Sequence, residues 1–281
     1  RNIFWCEYLI MLHKNSKELS KNIRLNAVRM VNRGGSSHIG SVLSIADILA
    51  VLYADIMKYN AEKPKWDGRD RFILSKGHAG AGIYAVLAEC GFFEKAKLMD
   101  HFQNGSVFSG HVSDKSIPGV ELSTGALGHG LPVGSGMALA AKLDNKQHHI
   151  FVLMSDGELN EGSNWEAFLF SAHHQLSNLT AIIDRNRLQS IRSTELTVKL
   201  EPLAEKFIAF GWNVHEIDGH DHQSLKENLN VRDRYMPTVI IANTIKGKGV
   251  SFMEDEVEWH YRTPLDEFFK QAIRELEIAE L

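Results

Sequence analysis

Five short apolar runs, Phe72 to Leu74, Ile150 to Met154, Thr180 to Ile183, Asn213 to Ile217 and Thr238 to Ala242, punctuate this sequence at intervals long enough to hold helices. Runs of this length, rich in β-branched residues, read as buried strands. Between them lie helix-length stretches, among them Leu131 to Lys142, Asn164 to His174, Pro202 to Phe210 and Ser224 to Leu229. The alternation predicts an α/β fold in which a parallel sheet carries helices on both faces. Upstream, Leu19, Ile23, Ala27 and Met30 recur at helical spacing. So do Ile45, Ile48, Leu49, Leu52 and Ile56, behind Ser44 as the expected N-cap. No repeat, low-complexity tract or Pro/Ser-rich linker divides the chain. One domain over residues 1–281 is expected, with an N-terminal helical extension and a C-terminal helix.

Composition narrows the function classes. The 281 residues are 44% apolar and carry a formal charge of −4, enough for one large core and without the basic field that nucleic acid binding calls for. No run approaches the roughly 18 apolar residues of a membrane span, and Ile3 to Leu12 is short and interrupted by Cys6, Glu7 and Tyr8. The expectation is a cytoplasmic protein with neither nucleic acid nor membrane as partner. Cys6 and Cys90 lack metal-ligand spacing and read as small buried hydrophobes.

In parallel sheets ligands bind beyond the carboxyl ends of the strands, so residues there come first. Ile150 to Met154 runs into Ser155-Asp156-Gly157-Glu158, and the next strand runs into Asp184-Arg185-Asn186. A Mg²⁺ ion takes oxygen ligands, so Asp156, the Asn186 amide and the Leu188 carbonyl make a suitable protein share. Gly157 lets backbone approach a phosphate, and a helix beginning near Gly162 directs N–H groups the same way. On spacing alone the same residues also read as an ordinary turn.

Four of the fourteen histidines stand among small residues: His38 in Ser37-His38-Ile39-Gly40, His78 in Ser75-Lys76-Gly77-His78-Ala79, His111 after Ser109-Gly110, and His260 after Lys246-Gly247-Lys248-Gly249. All four are expected in loops, where an imidazole reaches a ligand and passes protons near neutral pH. The remaining histidines, including His148-His149 and His173-His174, read as structural. The acidic run from Glu254 to Glu258 reads as a solvated, flexible loop.

These stretches, together with Ser123-Thr124-Gly125-Ala126-Leu127-Gly128-His129-Gly130, Glu161-Gly162, Asp184 to Gln189, Gly211-Trp212, Ile217-Asp218-Gly219-His220-Asp221 and Lys246 to Met253, are similar in kind and order to those of the transketolase family over residues 20–265. The resemblance implies a thiamine-diphosphate-binding fold and cofactors thiamine diphosphate and Mg²⁺, with Ca²⁺ or Mn²⁺ able to substitute. It implies that His78 and His260 face the diphosphate and that His38 and His111 face the sugar. Gly125 and Leu127 would lie against the cofactor rings, with Gly157 and Glu158 at the diphosphate. Asp156, Asn186 and Leu188 would hold the metal, and Glu161 and Glu166 would join a carboxylate network at a subunit interface. The chain departs from the family at Ser155, where Gly is usual, at His129, where many members have Gln, and at Tyr261-Arg262-Thr263, where a Gly-Lys-Ala-like run is common.

The resemblance further implies transfer of a two-carbon ketol unit from a ketose, or its phosphate, to an aldose. Thiamine chemistry supplies the electron sink, and the protein supplies binding, orientation and proton transfer. By the resemblance, the domain that binds the aminopyrimidine and supplies the activating Glu is expected on a separate chain. The expectation is an amino-terminal subunit of a split transketolase, in a heterotetramer with a C-terminal subunit. The alternatives are a component of another thiamine-diphosphate enzyme such as a 2-oxo acid dehydrogenase, or a non-catalytic regulatory homologue.

Overall fold

The computed structural model describes residues 15–279; Cys6 and the Ile3 to Leu12 stretch lie outside them. Five parallel strands, β1 (Arg71–Leu74), β2 (Ile150–Ser155), β3 (Leu179–Arg185), β4 (Asn213–Asp218) and β5 (Thr238–Asn243), form one sheet in the order β1-β2-β3-β5-β4. All five coincide with the apolar runs of the sequence. β2 and β3 are buried along their whole length, which is why their runs lack a polar alternation.

Side chains alternate between two cores. Phe72, Leu74, Phe151, Leu153, Ile182 and Ile240 enter one, and Ile73, Ile150, Val152, Met154, Ile183 and Ile241 the other. The first core is closed by α1 (Ser16–Gly34), α2 (Ile39–Val51), α3 (Gly80–Glu89), and residues of α8 (His222–Leu229) and α9 (Asp266–Ile278). The second is closed by α4 (Gly130–Leu143), α5 (Gly162–His173) and α7 (Leu203–Ala209), with the single turn α6 (Thr194–Thr197) between. Helices thus cover both faces, as the alternation predicts.

Helix α2 departs from expectation twice. It begins at Ile39, with His38 as N-cap in a left-handed conformation (φ 70°), so Ser44 is an interior residue and not the cap. The Ser44 hydroxyl instead donates to Asp184 and lies 3.2 Å from the Thr244 hydroxyl, a partner that sequence spacing does not reveal. The helical path also continues through a π turn, Leu52–Ile56, so that Ile39–Ile56 is 18 residues long with a mean hydropathy of 1.8. By length and composition it could cross a membrane. Ser41, Ser44, Asp47 and Asp55 break the apolar run in sequence and mask this. It is a core helix: every residue of α2 is buried, with α1 and α3 packed beside it.

Candidate active site

The carboxyl ends of β1, β2, β3 and β5 and the N-terminus of α2 meet at one cavity. Register puts Ser155 opposite Asp184 and Asp184 opposite Ala242, so the residues just past each strand share one rim. Asp156, Gly157, Asn186, Leu188, Gly125, Leu127, His38, His78, His111 and His260 all line it. Glu158, Glu161 and Glu166 are not among the lining residues.

Glu158 is a correction. Its carboxylate is fully buried, taking a hydrogen bond from Ser75 Oγ and others from the backbone N–H of Gly128 (3.0 Å) and Ser155 (3.3 Å). It braces the three loops around the cavity, and burial raises its pKa. The reason is a 3₁₀ turn, Gly157–Asn160, which intervenes between β2 and α5 and folds the Glu158 side chain inward. The same turn separates α5 from the cavity, so the expected phosphate-facing N–H groups near Gly162 are replaced by Gly157 itself. Glu161 and Glu166 are exposed at the start of α5, and Glu161 makes no capping hydrogen bond.

The oxygens of Asp156 are held by the N–H groups of Gly157 (2.7 Å) and Arg187 (2.7 Å) and by Arg185 Nη1 (3.1 Å). Burial and the neighbouring Asp184 nevertheless push its pKa up to about 6, leaving a carboxylate short of positive charge. Asn186 is oriented at both ends: its Nδ2 donates to Asp184 (2.9 Å) and its Oδ1 accepts from Leu188 N–H (3.0 Å). Asp184 is the hub behind them. Burial alone would raise its pKa, yet Lys76 and the hydroxyls of Ser44 and Thr244 hold it below the usual range.

Four imidazoles form the opposite wall. His38 lies with its ring centroid 5.3 Å from His78, 5.6 Å from His111 and 4.9 Å from His260, and His78 lies 5.5 Å from His260. His38 and His260 do not stand in loops as expected; they cap a helix and end a short 3₁₀ turn (Val257–His260), and His78 sits in another (Gly77–Ala79). Burial first, and then neighbouring cationic groups and imidazoles, lower the pKa of His38 to about 4, of His260 to about 3, and of His78 well below its usual value. The three are therefore neutral near pH 7, each with one nitrogen to donate and one to accept. Small residues allow this crowding. A Cβ on Gly77 would fall 2.4 Å from the Thr124 carbonyl, and one on Gly125 would fall 3.2 Å from the His111 ring.

In sequence Lys246 is visible only as part of a Gly/Lys run. In the fold it is 1% exposed and lines the cavity, its Nζ donating to the carbonyls of Leu188 (3.3 Å) and Gln189 (3.1 Å) and lying 2.9 Å from His260 Nδ1. Burial lowers its pKa to about 8. Lys76, Ser41, Ser155, Gln189, Ser190 and Tyr261 complete the lining; Lys76, Ser155, Gln189 and Tyr261 stand in stretches singled out in the sequence, but none is expected at the site from sequence. The Glu254 to Glu258 run is solvated as expected but tethered, since Glu254 accepts from Gly249 N–H (3.0 Å).

The donor set fits a hard divalent ion and a diphosphate. Asp156, the Asn186 amide and the Leu188 carbonyl are all oxygen donors, and the Leu188 carbonyl already attracts an ammonium. Among the described residues no cluster of three His, Cys, Asp or Glu offers a softer site.

Sheet order, the ends of β2 and β3, and the cavity they share define a thiamine-diphosphate-binding fold of the transketolase kind. Residues 15–275 match the family described as transketolase, thiamine diphosphate binding domain. The chain belongs to the transketolase family. It is 42% identical over 259 residues to one of the subunits of apulose-4-phosphate transketolase from Phocaeicola vulgatus, covering 92% of each chain. It is 38% identical to the 6-deoxy-6-sulfo-D-fructose transketolase subunit SqwG of a Clostridium species, covering 91% of this chain and 94% of that one. Against human transketolase it is 36% identical over 92% of its own length but spans only 42% of the human chain. Among solved structures, transketolase from Leishmania mexicana superimposes with a TM-score of 0.87 at 31% identity, over 94% of this chain and 41% of that one.

Proposed function

We propose that this chain is the amino-terminal, diphosphate-binding subunit of a two-chain transketolase. It would transfer a two-carbon ketol unit from a ketose or ketose phosphate to an aldose or aldose phosphate, and act only with a C-terminal partner subunit, two copies of each forming a heterotetramer. One observation carries this reading. The relatives named as subunits are covered over more than nine-tenths of their length, whereas single-chain transketolase is covered over 42%.

Thiamine diphosphate supplies, when bound, the electron sink for breaking and making a bond beside a carbonyl. The chain's own residues bind, orient and move protons. Asp156, Asn186 and the Leu188 carbonyl would hold Mg²⁺, which would supply positive charge for a diphosphate. Because Nδ1 of His260 faces the Lys246 ammonium, its proton sits on Nε2, and His260 and neutral His78 offer N–H groups to an anion. Gly157, without a Cβ, leaves backbone approach open; a Cβ there would fall 2.9 Å from Gln189 Cγ. Gly125 and Leu127 would form the bed for the cofactor rings. His38 and His111 would exchange protons with the hydroxyls of the sugar, a role that imidazoles fill. Glu161 and Glu166, exposed here, are available to a partner's carboxylates and donors.

The test is reconstitution. The purified chain, with excess Mg²⁺ and thiamine diphosphate, is assayed for ketol transfer alone and with a C-terminal transketolase subunit, over a panel of ketoses. Activity and a higher melting temperature only in the pair are expected, since a partner that binds only the folded state stabilises it. Full turnover by the chain alone sinks the two-chain reading. A pair that binds cofactor in a Mg²⁺-dependent way but transfers nothing points to the non-catalytic alternative.

A further inference from the structure

We propose that Tyr261 is a specificity-determining residue that reads the hydroxylated carbon chain of the ketose at the mouth of the cavity; this rests on the transketolase reading above. The backbone around it is fixed. Trp259 is 2% exposed and its indole N–H donates to the Phe252 carbonyl (2.8 Å), the His260 carbonyl accepts from His38 N–H (2.9 Å), and Tyr261 N–H donates to the Glu258 carbonyl (3.3 Å). The Tyr261 ring rests at steep angles against two of the cavity's imidazoles, 4.7 Å from His260 at 78° and 5.6 Å from His38 at 67°. It is nonetheless 61% exposed, while His260 beneath it is 9% exposed. Among the described residues its hydroxyl has no hydrogen-bond partner. A side chain held on a rigid base, lining the cavity, with an open ring and an unused hydroxyl is positioned to meet something that enters.

What it can meet follows from its neighbour. The Arg262 guanidinium is drawn away, packed 4.4 Å from the Phe268 ring and 4.9 Å from Trp259 and paired with Glu258. This sector of the mouth therefore offers an aromatic face and a phenol rather than a cation. A phosphate gains little there. A ketose backbone, with C–H groups on one side and hydroxyls on another, matches both features: the ring packs on C–H groups and the phenol exchanges a hydrogen bond with a hydroxyl. Tyr261 rests on His260 but, among the described residues, shares no contact with Asp156, Asn186 or Lys246, and Lys246 holds the His260 tautomer without it, so its removal should leave cofactor binding nearly unchanged.

The experiment uses the chain assembled with its partner and compares the parent with Tyr261→Ala and Tyr261→Phe. Steady-state KM and kcat are measured on ketoses that differ in chain length and hydroxyl configuration, and thiamine diphosphate affinity is measured by calorimetry. Removing the whole side chain should raise KM for the preferred ketose roughly 5- to 30-fold and flatten the preference among ketoses. Tyr261→Phe, which keeps the ring, should lose about 2- to 10-fold. Cofactor affinity should stay within twofold. KM for every ketose within twofold of the parent in Tyr261→Ala, or a parallel loss of cofactor affinity showing action through His260, overturns the assignment. No ketol transfer by the unsubstituted pair overturns the transketolase reading itself, and this inference with it.

Discussion

The Nζ of Lys246 lies 2.9 Å from Nδ1 of His260, both groups being almost fully buried. An ammonium has no lone pair, so it donates and the imidazole nitrogen accepts. One lysine thereby fixes the tautomer of a histidine fourteen positions later and aims its remaining N–H into the cavity. Burial and this cation together hold the His260 pKa near 3.

Lys246→Met should release that constraint. The His260 pKa should climb toward the usual histidine value, visible as a pH-dependent ¹⁵N shift, and thiamine diphosphate affinity should fall about 10- to 100-fold as a charge-assisted contact is lost. An unmoved His260 titration refutes the tautomer argument.

Asp156→Ala should abolish Mg²⁺-dependent cofactor binding while circular dichroism stays native. In the parent chain the raised carboxyl, near 6, is protonated below that pH and cannot ligate a cation. Affinity should therefore fall below pH 6, approaching about tenfold per pH unit if one proton is displaced on binding. Calorimetry across pH 5 to 8 checks this, and a flat profile rejects Asp156 as a ligand.

His111→Ala should lower turnover of the assembled enzyme by about 10²- to 10⁴-fold, the range for a positioned proton-transfer group, with cofactor affinity nearly unchanged. Normal turnover on the preferred ketose would return His111 to a packing role.

Acid should destabilise the unliganded chain. His38, His78, His101, His149 and His260 all have folded pKa values below the unfolded histidine value, so below pH 6.5 the unfolded chain binds more protons. Their stabilisation is complete above the unfolded value and is lost as pH falls through that value toward 4 and 3. Asp156 and Glu158, with raised values, act in the opposite sense, but five imidazoles outnumber them. The melting temperature should drop steadily from pH 7 to pH 5; a rise would reverse the sign of the dominant groups.

Much of the fold is legible in the sequence because the sheet is buried on both faces: Ile150 to Met154 and Thr180 to Ile183 are continuous apolar runs with little else they could become. The Asp156 and Asn186 side of the cavity is legible for a related reason, since both residues stand within three positions of the ends of those runs. What escapes the sequence depends on three-dimensional partners. Ser44 looks like a cap because nothing in sequence shows Asp184 waiting for its hydroxyl, 140 residues away. Glu158 looks available beside Asp156 until the Gly157–Asn160 turn folds it onto Ser75 and Gly128. Lys246 sits in a run whose glycines suggest a flexible turn, and only burial against Leu188, Gln189 and His260 marks it as part of the site.

Helix α2 has no solvent side, and its first turn carries His38 into the cavity. The His38 part of the imidazole wall is therefore held by hydrocarbon packing, so a loss of packing along α2 would shift that imidazole without touching it.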